Sequence, residues 1–366
     1  MKILVLPNAF KGSLSARETA RVFSRELTKQ HLVHAYPISD GGDGFIDFFK
    51  TLDPHAHLIS VSAKNAFLKT KRTHFLMLSD GKTAIVETAR ICGLGSVSTH
   101  ELDPMNASSF GVGQVLLRAV ETGAKTIYVG LGGVACNDGG AGMAAACGAV
   151  LLDKNHATLP LGAHPLISLK NIHLSPLKKR FKGIKIIGVA DVTNPLLGPK
   201  SSAKVFGPQK GATPDQVKAL DKALATFARA IKKETGQNIS HQPSTAAAGA
   251  IAAGLAGCFH AELLLGSDFL VQKTNLEKEI KWADLVITTE GKLDKQTFYG
   301  KAPLAILKLA KKYGKTVLFV CGKLEGKNIK KEILFPQQIA VLTDLAPEEE
   351  TQKNTAQYIR QICQKI

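Results

Sequence analysis

Short apolar runs alternate with glycine-rich and polar loops along the chain, and their period switches between that of a strand and that of a helix. Lys2 to Leu6 is a compact apolar run and predicts a first strand. Ala16 to Lys29 carries apolar residues on one helical face, with Ser15 placed to cap its start. Leu32 to Tyr36 predicts a second strand, so the chain opens as a βαβ unit, the mark of a parallel sheet covered by helices. His57 to Glu87 changes to alternating segments. These predict antiparallel strands with a hairpin turn at Asp80-Gly81. Ser108 to Thr122 predicts a helix, Thr126 to Leu131 a strand entering a glycine-rich loop, and Gly142 to Cys147 a further helix. Ile184 to Ala190 reads as a buried strand, Pro214 to Thr235 as a helix with an apolar stripe, and the alanine-biased stretch Ala246 to Ala256 as a buried helix. After Lys281 the parallel pattern returns: strand Asp284 to Thr288, helix Ala302 to Tyr313, strands Val317 to Cys321 and Ile339 to Leu342, and a closing helix over Glu349 to Lys365.

This order predicts an α/β protein in which both chain ends, 1–58 and 284–366, form one parallel-sheet domain. A second, mixed α/β domain, 59–283, is carried in the middle. A length of 366 residues suits two domains, and the expected active-site cleft lies between them.

Composition narrows the function classes. Hydrophobic residues at 45% and charged residues at 21% are globular values. The formal net charge of +17 raises the question of nucleic acid, but the excess is dispersed. No aromatic residues interleave with the lysine-rich patches, and no helix-turn-helix or zinc-finger spacing occurs, so no nucleic-acid partner is expected. Six cysteines form no CxxC pair, which disfavours a disulfide framework and fits a cytoplasmic setting. The first apolar run is too short for a signal peptide, and no long uncharged apolar run predicts a membrane span.

Four segments share one design, a carboxylate in a glycine- or turn-rich loop after a predicted strand. They are Asp40-Gly41-Gly42-Asp43-Gly44, Asn137-Asp138-Gly-Gly-Ala-Gly142, Asp191-Val-Thr-Asn194-Pro-Leu, and Glu290-Gly-Lys292-Leu-Asp294. The carboxyl ends of parallel strands are where α/β proteins place ligands, and glycine lets backbone amides approach phosphate. Carboxylates there would repel phosphate unless a cation intervened, so the set points to Mg²⁺ carried with a nucleotide. Any one such loop is ordinarily a turn; four in register with strands argue for a site. Lys11 in Phe-Lys-Gly-Ser13, Lys210 in Phe-Gly-Pro-Gln-Lys-Gly-Ala and Lys301 in Gly-Lys-Ala-Pro supply point charges suited to phosphate or a substrate carboxylate. There is no Walker A loop, GxSxG elbow, HExxH pair or protein-kinase signature.

Taken in order, these loops resemble the type I glycerate kinase family, from the first strand to about Gly322. Val205-Phe-Gly-Pro-Gln-Lys-Gly-Ala212 and Glu290-Gly-Lys-Leu-Asp294 with Gln296-Thr297 are the most specific segments. The resemblance implies a Rossmann-like domain joined to a second α/β domain. It also implies ATP- and Mg²⁺-dependent phosphorylation of D-glycerate, with 2-phosphoglycerate as the product usual in bacterial members. Alternatives are a kinase for another small hydroxy acid or polyol, or a catalytically silent metabolite sensor. A homodimer is left open.

On this reading Asp191 is the general base or a Mg²⁺ ligand, because it ends a buried strand. Glu290 is a second metal candidate, and Glu290 and Asp294 contact metal or substrate hydroxyl. Lys11, Lys210 and Lys301 neutralise anionic groups. Ser13, Asp40, Gly41, Gly42, Asp43, Asn137, Asp138, Asn194 and Lys292 complete the binding set. The chain departs from the family pattern at Asp43, where Glu is usual, at Val134-Ala135-Cys136, where Ser-Ala-Thr is usual, at Ser202-Ala203, where Gly-Ala is usual, at Thr289, where Gly is usual, and around Ala246 to Gly254.

Overall fold

A computed structural model describes residues 1–10, 12–293, 302–325 and 338–366. In chain order the elements begin β1 (Lys2–Pro7), α1 (Ala16–Leu27), β2 (Leu32–Ala35), α2 (Phe45–Leu52), β3 (His57–Lys64), β4 (Thr70–Met77) and β5 (Thr83–Glu87). There follow α3 (Thr88–Cys92), α4 (Phe110–Glu121), β6 (Thr126–Leu131), α5 (Ala141–Ala146), β7 (Val150–Leu152), β8 (Asn171–His173), α6 (Ser175–Arg180) and β9 (Lys185–Ala190). The chain continues through α7 (Ser202–Phe206), α8 (Pro214–Thr235), α9 (Ala247–Phe259), β10 (Glu262–Leu265), α10 (Gly266–Lys273) and α11 (Leu276–Trp282). It closes with β11 (Leu285–Leu293), α12 (Ala302–Lys312), β12 (Thr316–Leu324), β13 (Gln338–Val341), α13 (Glu348–Lys353) and α14 (Thr355–Cys363).

The described residues cluster into two compact units. One comprises 1–40, 47–52 and 266–366, the other 41–46 and 53–265. In the first, both chain ends build one parallel sheet in the order β13-β12-β11-β1-β2. Its core packs Ile3, Val5, Phe23, Ile287, Val320 and Ile359. The apolar runs of β1 and of the first three residues of β11, Leu285 to Ile287, are what parallel strands covered on both faces require. Ser15 caps α1 by a full capping box: its hydroxyl accepts the Glu18 N–H while the Glu18 carboxylate accepts the Ser15 N–H.

The second unit holds a mixed sheet in the order β10-β9-β6-β5-β4-β3. Strands β5, β6, β9 and β10 run parallel, while β3, β4 and β5 pair antiparallel as their alternation predicts. Asp80 sets the turn between β4 and β5, its Oδ1 accepting the N–H groups of Lys82 and Thr83 at 2.8 Å. Leu116, Val129, Leu224, Phe227 and Ile251 belong to this unit's core.

Three expectations are corrected. Glu290 and Lys292 do not lie in a loop after a strand ending at Thr288. The ladder with β12 continues, pairing Glu290 with Cys321 and Lys292 with Lys323, so both are strand residues. The closing helix is two helices, broken at Asn354, whose φ of −118° is not helical. The alanine-rich helix α9 is interrupted at Ala248, Gly249 and Ala250, all left-handed, where its backbone meets the loop after β6 and the Gly139 N–H donates to the Gly249 carbonyl. Among the described residues no helix is long and apolar enough to cross a membrane.

Candidate active site

In the first unit the strand order reverses between β1 and β11, since β2 lies on one side of β1 and β11 to β13 on the other. Ligands of open α/β sheets bind beyond the carboxyl ends of strands at such a switch point. Asn8, directly after β1, donates from Nδ2 to Glu290 Oε2 at 3.2 Å, and the Thr289 hydroxyl donates to the Asn8 carbonyl at 2.8 Å. Glu290 is buried, and its carboxylate accepts from Asn8 just past the end of β1. Ser13 turns elsewhere, its hydroxyl donating to the Gln352 carbonyl and meeting the Thr355 hydroxyl. Lys292 is exposed and paired with Glu325. Asp40 is buried, its backbone passing so close to Gly266 that a side chain there would clash.

In the second unit the parallel strands end at Glu87, Leu131, Ala190 and Leu265, and the loop 41–44 is laid across three of these ends. Gly41, at φ +100°, passes so close to β9 that a Cβ would lie 2.2 Å from the Val189 carbonyl oxygen. A Cβ on Gly132 would lie 2.7 Å from the Gly42 Cα. Both glycines are there because two backbones touch. Asp43 is exposed and lies over Gly133. Asp191 is half-buried directly after β9. Asn194 shapes that loop, donating to the Lys200 carbonyl and accepting the Ala246 N–H on its own carbonyl.

Asn137 and Asp138 are fully buried and differ in what they offer. The Asp138 carboxylate accepts from the N–H groups of Ser109, Gly140 and Gly142 and from the hydroxyls of Ser108 and Ser109, so it fixes the turn between β6 and α5. Burial pushes its carboxyl up, against the pull of those donors. Asn137 accepts from the Ser202 hydroxyl, while its Nδ2 is buried with no partner among the described residues. Such an orphaned donor calls for a ligand oxygen or a water. Lys210 is fully buried. Its Nζ donates to the Cys136 carbonyl at 2.6 Å, and burial lowers its pKa to about 8.

The fold thus brings Glu290 against Asn8, Asn137 against Ser202, and Lys210 against the residue preceding Asn137. Ser13 and Lys292 engage other partners. Lys11, Asp294 and Lys301 lie outside the described residues. Two side chains escaped the sequence reading. Asn8 lacks a flanking glycine signal. Glu87 is a buried carboxylate at the end of β5 that accepts the N–H groups of Gly44 and Ile46 and pairs with Arg90 at 3.2 Å. Burial raises its carboxyl, opposed first by Arg90. Glu87 is also a strand-end carboxylate, but no glycine stands beside it in the sequence to mark a loop.

Comparison with known proteins identifies the family of the chain. A family model described as the glycerate kinase family matches residues 3–366. A glycerate kinase of Halalkalibacterium halodurans is 36% identical over 94% of this chain and 90% of its own length. A glycerate 2-kinase of Escherichia coli is 37% identical over 88% of this chain and 86% of its own. A crystal structure of a provisionally assigned glycerate kinase 2 from Salmonella typhimurium LT2 superposes with a TM-score of 0.81 at 31% identity, covering 100% of this chain and 98% of that one.

Proposed function

The chain belongs to the glycerate kinase family of ATP-dependent phosphotransferases, and from that premise we propose that it moves the ATP γ-phosphoryl group to the 2-hydroxyl of D-glycerate. The regiochemistry rests on the 37% identity with the E. coli protein named glycerate 2-kinase. The structural observation that carries the binding of an anionic ligand is the buried Asn137 amide, whose Nδ2 has no partner among the described residues. A phosphate or carboxylate oxygen supplies the missing acceptor.

Mg²⁺ on a nucleotide uses one or two protein carboxylates with phosphate oxygens and waters in place of an all-protein cage. Asp191 and Glu290 fit that demand: Asp191 directly follows β9, Glu290 lies on β11 one residue past its pairing with β1, and among the described residues no group of three His, Cys, Asp or Glu side chains is gathered for a metal. Bound Mg²⁺–ATP supplies the phosphoryl group and offsets its charge. Asp191 would take the proton of the attacking hydroxyl or hold the ion. Glu290, oriented by Asn8, would hold the ion or the hydroxyl. Asn137 offers its buried Nδ2 to an anionic oxygen, while the amides of Gly139, Gly140, Ala141 and Gly142 are taken up within the unit and hold the loop that carries it. Positioning and charge neutralisation of this kind are most of what phosphoryl transfer asks of a protein.

The test is ADP release with D-glycerate, L-glycerate, glycerol and hydroxypyruvate, followed by NMR of the product. Turnover of D-glycerate to 2-phosphoglycerate is expected. A 3-phosphorylated product would refute the regiochemistry, turnover of another acceptor alone would refute the substrate, and binding without ADP release would mean a sensor.

A further inference from the structure

We propose that Glu87 is a positioning residue for phosphoryl transfer, fixing the loop 41–44 and through it the carboxylate of Asp43. This assignment rests on the reading of the protein as a glycerate kinase.

The first turn of any helix leaves N–H groups without partners, and α2 begins directly after the loop. Glu87, more than forty positions away in the chain, supplies the acceptors. Its Oε1 takes the Gly44 N–H at 3.3 Å and its Oε2 takes the Ile46 N–H at 3.0 Å. The side chain is 4% exposed, so an unpartnered charge there would be costly. Arg90 Nε, 3.2 Å from Oε2, provides the counter-charge, and negative charge at a helix start is favourable in itself.

The next residue holds the other loop. The Thr88 hydroxyl donates to the Gly130 carbonyl at 2.8 Å and accepts the Gly132 N–H at 3.4 Å. Two consecutive residues at the end of β5 therefore lock two glycine loops against each other, where Gly132 and Gly42 approach too closely for a side chain. Asp43, the exposed carboxylate of that loop, lies over Gly133; a Cβ there would be 3.3 Å from Asp43 Oδ1. Glu87 itself is buried away from solvent, so its effect on a substrate passes through the loop.

The test compares wild type, Glu87→Gln, Asp43→Asn and the double variant for kcat, KM and Tm with D-glycerate and ATP. Gln fills the same space but presents an NH₂ group to donors, loosening the loop. The expected result is a kcat about 10-fold or more lower for Glu87→Gln with Tm little changed. The double variant should be no slower than Asp43→Asn alone, because both changes remove one function. Should Glu87→Gln fail to fold, Glu87→Asp, which keeps the charge beside Arg90 but falls a methylene short of the amides, should show the same coupling. An unimpaired kcat in the Glu87 variant, an unimpaired Asp43→Asn, or losses that multiply in the double variant would each overturn the assignment while wild type remains active. A wild type that releases no ADP from D-glycerate overturns the functional reading and this assignment together.

Discussion

The side-chain amide of Asn8 donates to the Glu290 carboxylate at 3.2 Å, joining residues 282 positions apart in the chain. The pair sits where β1 ends beside β11, which runs on along β12, one step beyond the ladder partners Pro7 and Thr289. A carboxylate that accepts from a fixed neutral donor is held in its direction. Asn8→Ala is therefore expected to lower kcat/KM about 10-fold, the scale on which partners that orient a ligand-holding group act. Steady-state ADP release checks this, and an unaltered kcat/KM in a folded variant would remove Glu290 from the site.

Asp191 leaves β9 half-buried, at the edge where the loop 41–44 crosses the strand. As base or ion ligand it cannot be replaced by an amide. Asp191→Asn should lower kcat by at least ~10²-fold, the scale of a positioned acid–base group. A near-normal turnover number in the variant would exclude the role.

Lys210 carries a pH signature. Its folded pKa of about 8 lies below the ordinary 10.5, because burial disfavours the charge. Between these values the unfolded chain binds more protons than the native one, so this group's contribution to stability rises with pH. Its destabilising effect is fully present below pH 8 and fades toward pH 10.5. Relative to Lys210→Met, wild type should gain about 2 kcal/mol between pH 7.5 and 9.5. Paired denaturant unfolding at several pH values measures the difference and cancels the other titrating groups. A difference that stays constant over this range would show that the lysine keeps an ordinary pKa.

Gly249 sits at φ +59° inside α9, and a Cβ there would lie 2.0 Å from the Cys136 carbonyl oxygen and 2.8 Å from Lys210 Nζ. Gly249→Ala is expected to lower Tm and to disturb the seat of Lys210. Its neighbour Ala248 holds φ +51° with a side chain, a conformation costing about 1 kcal/mol or more. Ala248→Gly should recover part of that cost. Thermal melts of the two variants should move in opposite directions; a shift of the same sign would contradict the left-handed turn.

Much of the fold is legible in local pattern. The apolar run of β1, the capping signal at Ser15, the alternation of β3 to β5 and the stripe of α8 each depend on neighbours a few residues away. The glycine-flanked loops at Asp40 and Asp138 are legible for the same reason, since close backbone approach demands glycine wherever it occurs. The true end of β11 was not legible: Glu290 and Lys292 extend the strand because β12 offers them ladder partners. Asp138 illustrates the limit for sites. Its neighbours suggest a binding loop, but five donors from within the unit already surround its carboxylate.

The sequence by itself determined the α/β class, the return of the chain ends to one sheet, and, through the order of its loops, membership of the glycerate kinase family. Tertiary structure decided that Asn8 faces Glu290, that Glu87 caps α2, and that Lys210 is buried against the Cys136 carbonyl. Strand order and backbone approach set these contacts between residues far apart in the chain. Hydrophobic periodicity records which face of an element is buried, and carries no term for what that face will meet.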